Sequence, residues 1–328
     1  MKRREFVALL GGAAAWPLSA HAQQQERIRR VGALNNFDES DAQAKAWFAA
    51  FEDGLQKLGW NLGRNLRIDY RWAGIDKVLL QTYAAELVGM APDILFATSA
   101  PSLIALHEKT RTLPIVFVQV SDPVKLGLVA DLARPGGNIT GFVNFEHSIG
   151  GKWLELIRDT APGTSRVAVI FDPDNPAMIP YLDAIKAASS SSGMQLTLDG
   201  VRDVADIERT MNVFAQQPSG ALIVLPNAVA ILHRDRIVAL AARLRLPAIY
   251  AYRLFVDSGG FISYGVDLAD EYRRAASYFD RILKGAKPAE LPVQLSSKFE
   301  LIINLNTAKA LGLTISAAVL SRADEVIE

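Results

Sequence analysis

Short β-rich runs alternate with longer amphipathic stretches along almost the whole chain, a pattern that narrows the fold to parallel βαβ units. Arg29 to Leu34 reads as a first strand, and Ala46, Trp47, Ala50, Phe51, Leu55 and Leu58 then mark one face of a helix. Leu66, Ile68, Tyr70 and Trp72 alternate as a second strand, followed by a helix over Val78 to Val88. Asp93 to Thr98 and Pro114 to Val120 are buried strands around a helix at Pro101 to Lys109, and Thr140 to Val143 is a short fifth strand. The grammar then restarts. Helices at Trp153 to Ile157, Pro176 to Ser190, Ile207 to Ala215 and Ile231 to Leu244 alternate with strands at Arg166 to Phe171, Gln195 to Leu198, Ala221 to Leu225, Pro247 to Tyr250 and Phe261 to Tyr264.

Two α/β halves therefore meet near Phe145 to Gly150, with a repeat of element order but no repeat of residues. A tail follows: a helix at Tyr272 to Leu283, a Pro-containing link at Lys287 to Pro292, a strand at Phe299 to Leu305 and a helix at Thr307 to Leu311. A tail after two complete halves implies that the chain crosses back between lobes, and several crossings make a hinge. The expected division is 23–145 for lobe 1, with part of 268–298 returning to it, and 146–267 for lobe 2, with part of 299–328 returning.

Residues 1–22 stand apart. Lys2, Arg3 and Arg4 precede an apolar run from Phe6 to Ala20, and Ala20-His21-Ala22 gives the A-x-A cleavage pattern of a secretory signal. As a helix the run spans roughly 22 Å at about 1.5 Å per residue, short of a bilayer core of roughly 30 Å. A cleaved signal peptide over 1–22 is the expectation. Arg3-Arg4 with Phe6 fits a twin-arginine signal, while Glu5 and the short n-region leave the ordinary secretory route open. With 0 cysteines there is no disulfide framework, thiol nucleophile or lipid-anchored cysteine. A freely diffusing exported protein points to a Gram-negative periplasm.

The 35 basic and 35 acidic residues balance, and no basic block or stripe invites nucleic acid. Beyond the signal no apolar stretch is long enough for membrane insertion. Enzyme motifs are missing too. His107, His147 and His233 lack ligand spacing, and no serine sits in G-x-S-x-G. Gly136 to Gly141 is not a dinucleotide loop, and Asp172-Pro173-Asp174-Asn175 lacks the Gly and distal Glu of a calcium loop. No catalytic residue, metal or cofactor is expected.

Open parallel sheets bind ligands beyond the carboxyl ends of their strands. The candidates there are Asn35, Asn36, Phe37, Ser99, Ala100, Ser102, Ser121, Asp122, Thr140 and Gly141 in the first half. The second half offers Asp172, Asp174, Asn175, Asn227, Tyr252 and Tyr264 through Asp267. Hydroxyls, amides, a few carboxylates and aromatics suit a compact polar ligand with a flat apolar part. Ser99-Ala100-Pro101-Ser102 opens a helix and forms a carboxylate site or an ordinary cap. Asp122 and Asp267 could each hold an ammonium, or serve as a turn or cap residue.

Three blocks carry a family resemblance: LPIVFVQVSDPVKLGLVADLARPGGNITG (Leu113 to Gly141), LPAIYAYRLFVDSGGFISYGVDLADEYRRAA (Leu246 to Ala276) and ILKGAKPAELPVQLSSKFELIINLNTAKALGLTI (Ile282 to Ile315). From about Arg29 onward the chain resembles the ABC transporter substrate-binding proteins related to tryptophan and tyrosine uptake receptors. The resemblance implies a type I periplasmic-binding-protein fold with two Rossmann-like lobes and three crossovers. It also implies a small-molecule ligand passed to a permease and ATPase encoded elsewhere, and a chain that works as a monomer. Ligand contacts carry over to Ser99 and Ser102 in ATSAPS, Asp122 in SDP, Thr140 and Gly141 in GGNITG, Asn175 in DPDNP, Asn227 after IVLP, and Tyr264 with Asp267 in SYGVD. A sensory receptor of the same fold and an exported α/β hydrolase are the competing readings.

Overall fold

The structure, a computed structural model, describes residues 27–144 and 148–328. The signal-peptide expectation for 1–22 lies outside them, as does His147. The first half contains β1 (Arg29–Asn35), α1 (Ala42–Lys57), β2 (Leu66–Trp72), α2 (Lys77–Gly89), β3 (Ile94–Ala97), α3 (Ala100–Lys109), β4 (Ile115–Val120) and β5 (Ile139–Val143). The second contains α4 (Ile149–Thr160), β6 (Arg166–Phe171), α5 (Ile179–Ser192), β7 (Gln195–Gly200), α6 (Val204–Phe214), β8 (Gly220–Val224), α7 (Ala228–Leu232), α8 (Arg234–Arg243), β9 (Ala248–Tyr250), α9 (Leu254–Asp257) and β10 (Ile262–Val266). The tail contributes α10 (Leu268–Leu283), β11 (Gln294–Leu295), β12 (Phe299–Asn304), α11 (Leu305–Ala310), α12 (Ala317–Leu320) and β13 (Glu325–Ile327).

Among the described residues the strands form two sheets, ordered β11-β5-β4-β3-β1-β2 and β13-β12-β10-β9-β8-β6-β7. Every pairing is parallel except β10 with β12. Strands such as Ile94–Ala97 and Gly220–Val224 are buried along their whole length, as parallel strands covered by helices on both faces must be. The chain passes between the sheets after β5, after β10 and after β11.

The tail's docking follows from α10. Tyr272, Ala276, Phe279 and Leu283 lie at helical spacing and are all buried. They face α1 closely enough that a Cβ on Gly54 would stand 2.9 Å from that of Ala276. Trp60 Nε1 donates to Asp280 at 3.0 Å across the same seam. Phe279 packs on Phe51 and Phe96 with ring centroids 4.8 and 5.1 Å away. Truncating so buried a phenylalanine costs about 3–5 kcal/mol. Helix starts are fixed by Asp41, Asp76, Ser99, Asp203, Asn227, Asp267 and Asn304, whose side chains accept amide N–H groups of the first turn.

The structure departs from the sequence reading in a few elements. The long helix expected over Ile231 to Leu244 is two, α7 and α8, because His233 leaves the helical region at φ −102°, ψ 24°. The helix expected from Pro176 opens as a 3₁₀ turn, with Asn175 accepting Ala177 N, and becomes α-helical at Ile179. The two- and three-residue strands β11 and β13 were missed, being too short to show a period.

Candidate ligand-binding cleft

The carboxyl ends of β1, β3, β4 and β5 face those of β6, β8 and β9 across a cavity of about 320 Å³. Asn36, Lys77, Gln81, Ser99, Ala100, Gln119, Ser121 and Asn144 line it from the first lobe. Asp172, Asp174, Asn175, Asn227 and Tyr252 line it from the second. Leu80, Ile104, Leu126, Pro176 and Ile231 supply apolar wall. Another cavity, of about 310 Å³, lies beside Thr164, Ser219 and Pro247. These residues precede β6, β8 and β9, so it sits at the amino ends of the strands, where open sheets do not bind ligands.

Nine expected residues reach the cleft: Asn36, Ser99, Ala100, Ser121, Asp172, Asp174, Asn175, Asn227 and Tyr252. Ser99 caps α3, its Oγ accepting Ser102 N at 3.2 Å, and Ala100 opens the helix, where first-turn N–H groups lack helical partners. Asn175 Oδ1 accepts Ala177 N at 3.0 Å, and Asn227 Oδ1 accepts Ala230 N at 2.6 Å. Tyr252 is buried and its hydroxyl accepts Asn144 Nδ2 at 2.7 Å, joining the lobes behind the cleft.

The other expected positions do not line this cavity. Phe37 packs edge-on against Trp47 in the first lobe's core, centroids 5.3 Å apart. Ser102 is fully buried and donates to Ser99 O at 3.0 Å. Asp122 closes a turn, accepting Lys125 N at 2.9 Å. Thr140 donates to Leu291 O at 2.7 Å, inside the lobe. Gly141 serves strand packing, since a Cβ there would stand 2.2 Å from Phe117 O. Tyr264 stacks on Phe299 at 5.9 Å. Asp267 caps α10 and pairs with Lys298 Nζ at 2.6 Å. It borders a separate hollow of about 290 Å³ with Gln43, Trp47 and Glu300. Burial would raise its pKa, but the Lys298 ammonium and the Asp270 N–H outweigh that and hold it low. A carboxylate already capped and paired is a poor candidate for a ligand ammonium.

Lys77, Gln81, Gln119 and Asn144 line the cleft and went unread in the sequence. Lys77 and Gln81 share one face at the start of α2, four residues apart. Gln119 is the one polar residue in the apolar run of β4, and that interruption was the available signal. Asn144 is the first residue after β5.

Two features give the cleft its electrostatic character. Asp172 is raised in pKa by burial, which its hydrogen bond from Asp174 N and the facing charge of Lys77 oppose. Asn36 Oδ1 and Asn144 Oδ1 are buried acceptors with no hydrogen-bond partner among the described residues. Buried acceptors without partners cost free energy, and a bound donor would satisfy them.

A clasp closes the rim. Arg234 Nη1 of the second lobe meets Asp41 Oδ2 of the first at 2.9 Å, with side chains only 21% and 12% exposed. The break at His233 sets Arg234 at the start of α8.

Comparisons with known proteins agree with this architecture. A family model described as ABC transporter substrate binding protein matches residues 34–327. A tyrosine-binding protein of Clostridioides difficile strain R20291 is 27% identical over 262 residues, 80% of this chain and 75% of that one. The crystal structure of a conserved domain protein from Vibrio cholerae is 28% identical with a TM-score of 0.85, covering 92% of this chain and all of that one. A Streptococcus pneumonia ABC domain in complex with L-Trp is 25% identical over 91% of this chain and 99% of its own, with a TM-score of 0.84. A ligand-free, open substrate-binding protein from Clostridium difficile, also 25% identical and covered to 99% by 92% of this chain, superposes less well, at 0.69. At equal identity, the chain superposes better on the tryptophan-bound relative than on the ligand-free one. The two crossover-linked lobes are those of type I periplasmic binding proteins, and the chain belongs to the ABC transporter substrate-binding protein family.

Proposed function

We propose that this substrate-binding protein captures an amino acid, with aromatic ones as the leading class, in the cleft between lobes, and that a membrane permease and its ATPase receive it. The observation that carries the reading is the wall itself. Buried acceptors without partners, Asn36 Oδ1 and Asn144 Oδ1, share one cavity with the Asp172 carboxyl and with the exposed start of α3. Acceptors and a carboxylate suit an ammonium. The helix start at Ala100, with Ser99 and Lys77, suits a carboxylate. Leu80, Ile104 and Ile231 suit an apolar side chain. The tyrosine-binding and L-Trp-bound relatives support the same class. Asp172 replaces Asp267 as the ammonium's partner in this reading.

In this reading the lobes are 23–145 with part of 268–298, and 146–267 with part of 299–328. It acts as a monomer, exported to the periplasm by a cleaved signal over 1–22. Among the described residues no helix is long and apolar enough to cross a membrane. The family binds solutes rather than transforming them, so no chemical step is assigned.

Calorimetric titration of the purified protein with L-tryptophan, L-tyrosine, tryptamine and indole-3-propionate tests the assignment. An amino acid should bind, and the analogues lacking the carboxylate or the ammonium should each bind at least about thirtyfold more weakly, since buried charge-assisted pairs contribute about 2–5 kcal/mol when one partner is removed. Equal binding of an amino acid and its analogue without the amino group would remove Asp172 and the two asparagines from the account.

A further inference from the structure

Behind the cleft wall sits a carboxyl that surface chemistry does not explain. Glu271, in the first turn of α10, is 1% exposed. Its Oε1 accepts the backbone N–H of Gln119 at 2.8 Å, 152 residues away in sequence. Gln119 stands at φ 57°, the left-handed region that residues with side chains avoid. There the β4–β5 register shifts, between Phe117 and Val120. The next residue of α10 grips the same position, for Gln119 Nε2 donates to the Tyr272 hydroxyl at 3.0 Å.

Gln119 and Ser121 both line the cleft, and the Ser121 hydroxyl interacts with Tyr181 of the opposite lobe. The distorted end of β4 thus touches both the ligand space and the facing lobe. Glu271 Oε2 and Ser296 Oγ lack a well-formed hydrogen bond, although the two groups lie near enough to interact. Ser296 belongs to the crossover between β11 and β12.

We propose that Glu271 is a positioning residue for ligand capture: its carboxyl holds the strained Gln119 turn and so sets where Gln119 and Ser121 stand in the cleft wall. The proposal rests on the reading of the interlobe cleft as the ligand site. An apolar side chain of the same size would leave the Gln119 N–H buried without an acceptor. Burial pushes the carboxyl up to about 8, against the Gln119 N–H and the nearby Arg274, with Asp270 adding to the rise. The Tyr252 and Tyr272 hydroxyls also face it. At neutral pH it is therefore a neutral acid that accepts the N–H without a buried charge.

The test compares Glu271→Gln, which keeps the accepting oxygen, with Glu271→Leu, which keeps only bulk. Amide exchange at Gln119 is read in ligand-free protein, and affinity is read with L-tryptophan and L-tyrosine. Glu271→Leu should speed exchange at Gln119 and weaken binding, each by about tenfold, while Glu271→Gln stays within about twofold on both. If the leucine variant does not fold, Glu271→Asp, one methylene short, should show the same quickening. Unchanged exchange in the leucine or aspartate variant overturns the proposal, as does a glutamine variant as damaged as the leucine one. Ala228→Trp, which fills the cleft, should abolish binding and leave Gln119 exchange unchanged. If it binds undiminished, the cleft reading falls, and the ligand half of the proposal with it.

Discussion

Replacing Arg234 with methionine isolates the ion pair that spans the two lobes. Arg234 Nη1 lies 2.9 Å from Asp41 Oδ2 and 3.2 Å from Ile231 O. Asp41 uses its other oxygen to accept Gln43 N and Ala44 N at 2.9 and 3.0 Å. The methionine variant keeps that cap and most of the apolar stem. Fully exposed pairs contribute about 0.2–1 kcal/mol, and hydrogen bonds to charged groups about 1.5–3 kcal/mol. With both groups largely shielded, about 1.5 kcal/mol is the working figure, or roughly tenfold in affinity. The pair joins the two lobes, so under the proposed closure its loss should appear in ligand binding and not in the melting of ligand-free protein. Calorimetric titration and unligated melting of Arg234→Met are the paired assays. Affinity unchanged within about twofold, or a drop of several degrees in melting without loss of affinity, would refute the reasoning.

Other substitutions separate structural from ligand-facing roles. Asp267→Ala should lower stability by about 1 kcal/mol through the lost cap while affinity holds; denaturant unfolding beside titration checks both. Thr140→Val should destabilise by about 1–3 kcal/mol, because Leu291 O loses its buried donor, with ligand affinity again unchanged. Glu271 holds its proton up to about pH 8 in the folded protein, against an ordinary value of 4.5. The unfolded chain gives that proton up first, so the Glu271 contribution makes stability fall as pH rises from about 4.5 through 8. Glu271→Gln should flatten that slope in urea unfolding across the same range.

The alternation of strands and helices showed in the sequence because parallel strands buried on both faces must be almost continuously apolar, as Ile94–Ala97 and Gly220–Val224 are. The strand-end loops read from the sequence are the ones that line the interlobe cavity. Which of their residues line it was not legible. Ser99, Asn175, Asn227 and Asp267 are all caps by the same local chemistry, yet only the first three lie on the cavity wall. Thr140 is engaged by a carbonyl 151 residues away, a partner that no local pattern reveals. Glu271 carries a charge type expected on a helix surface, and only the packing of α10 against β4 buries it.

Capture as proposed requires the ligand to be held between lobes that close over it. The chain has 0 cysteines, so spin labels can be placed at Lys45→Cys on α1 and Arg236→Cys on α8, on either side of the Arg234–Asp41 clasp. Electron–electron resonance distances between them, measured with and without saturating L-tryptophan or L-tyrosine, test that claim directly. A broad, longer distribution that narrows and shortens with the amino acid is the predicted result. An unchanged distribution in a sample that calorimetry shows to be saturated would contradict it.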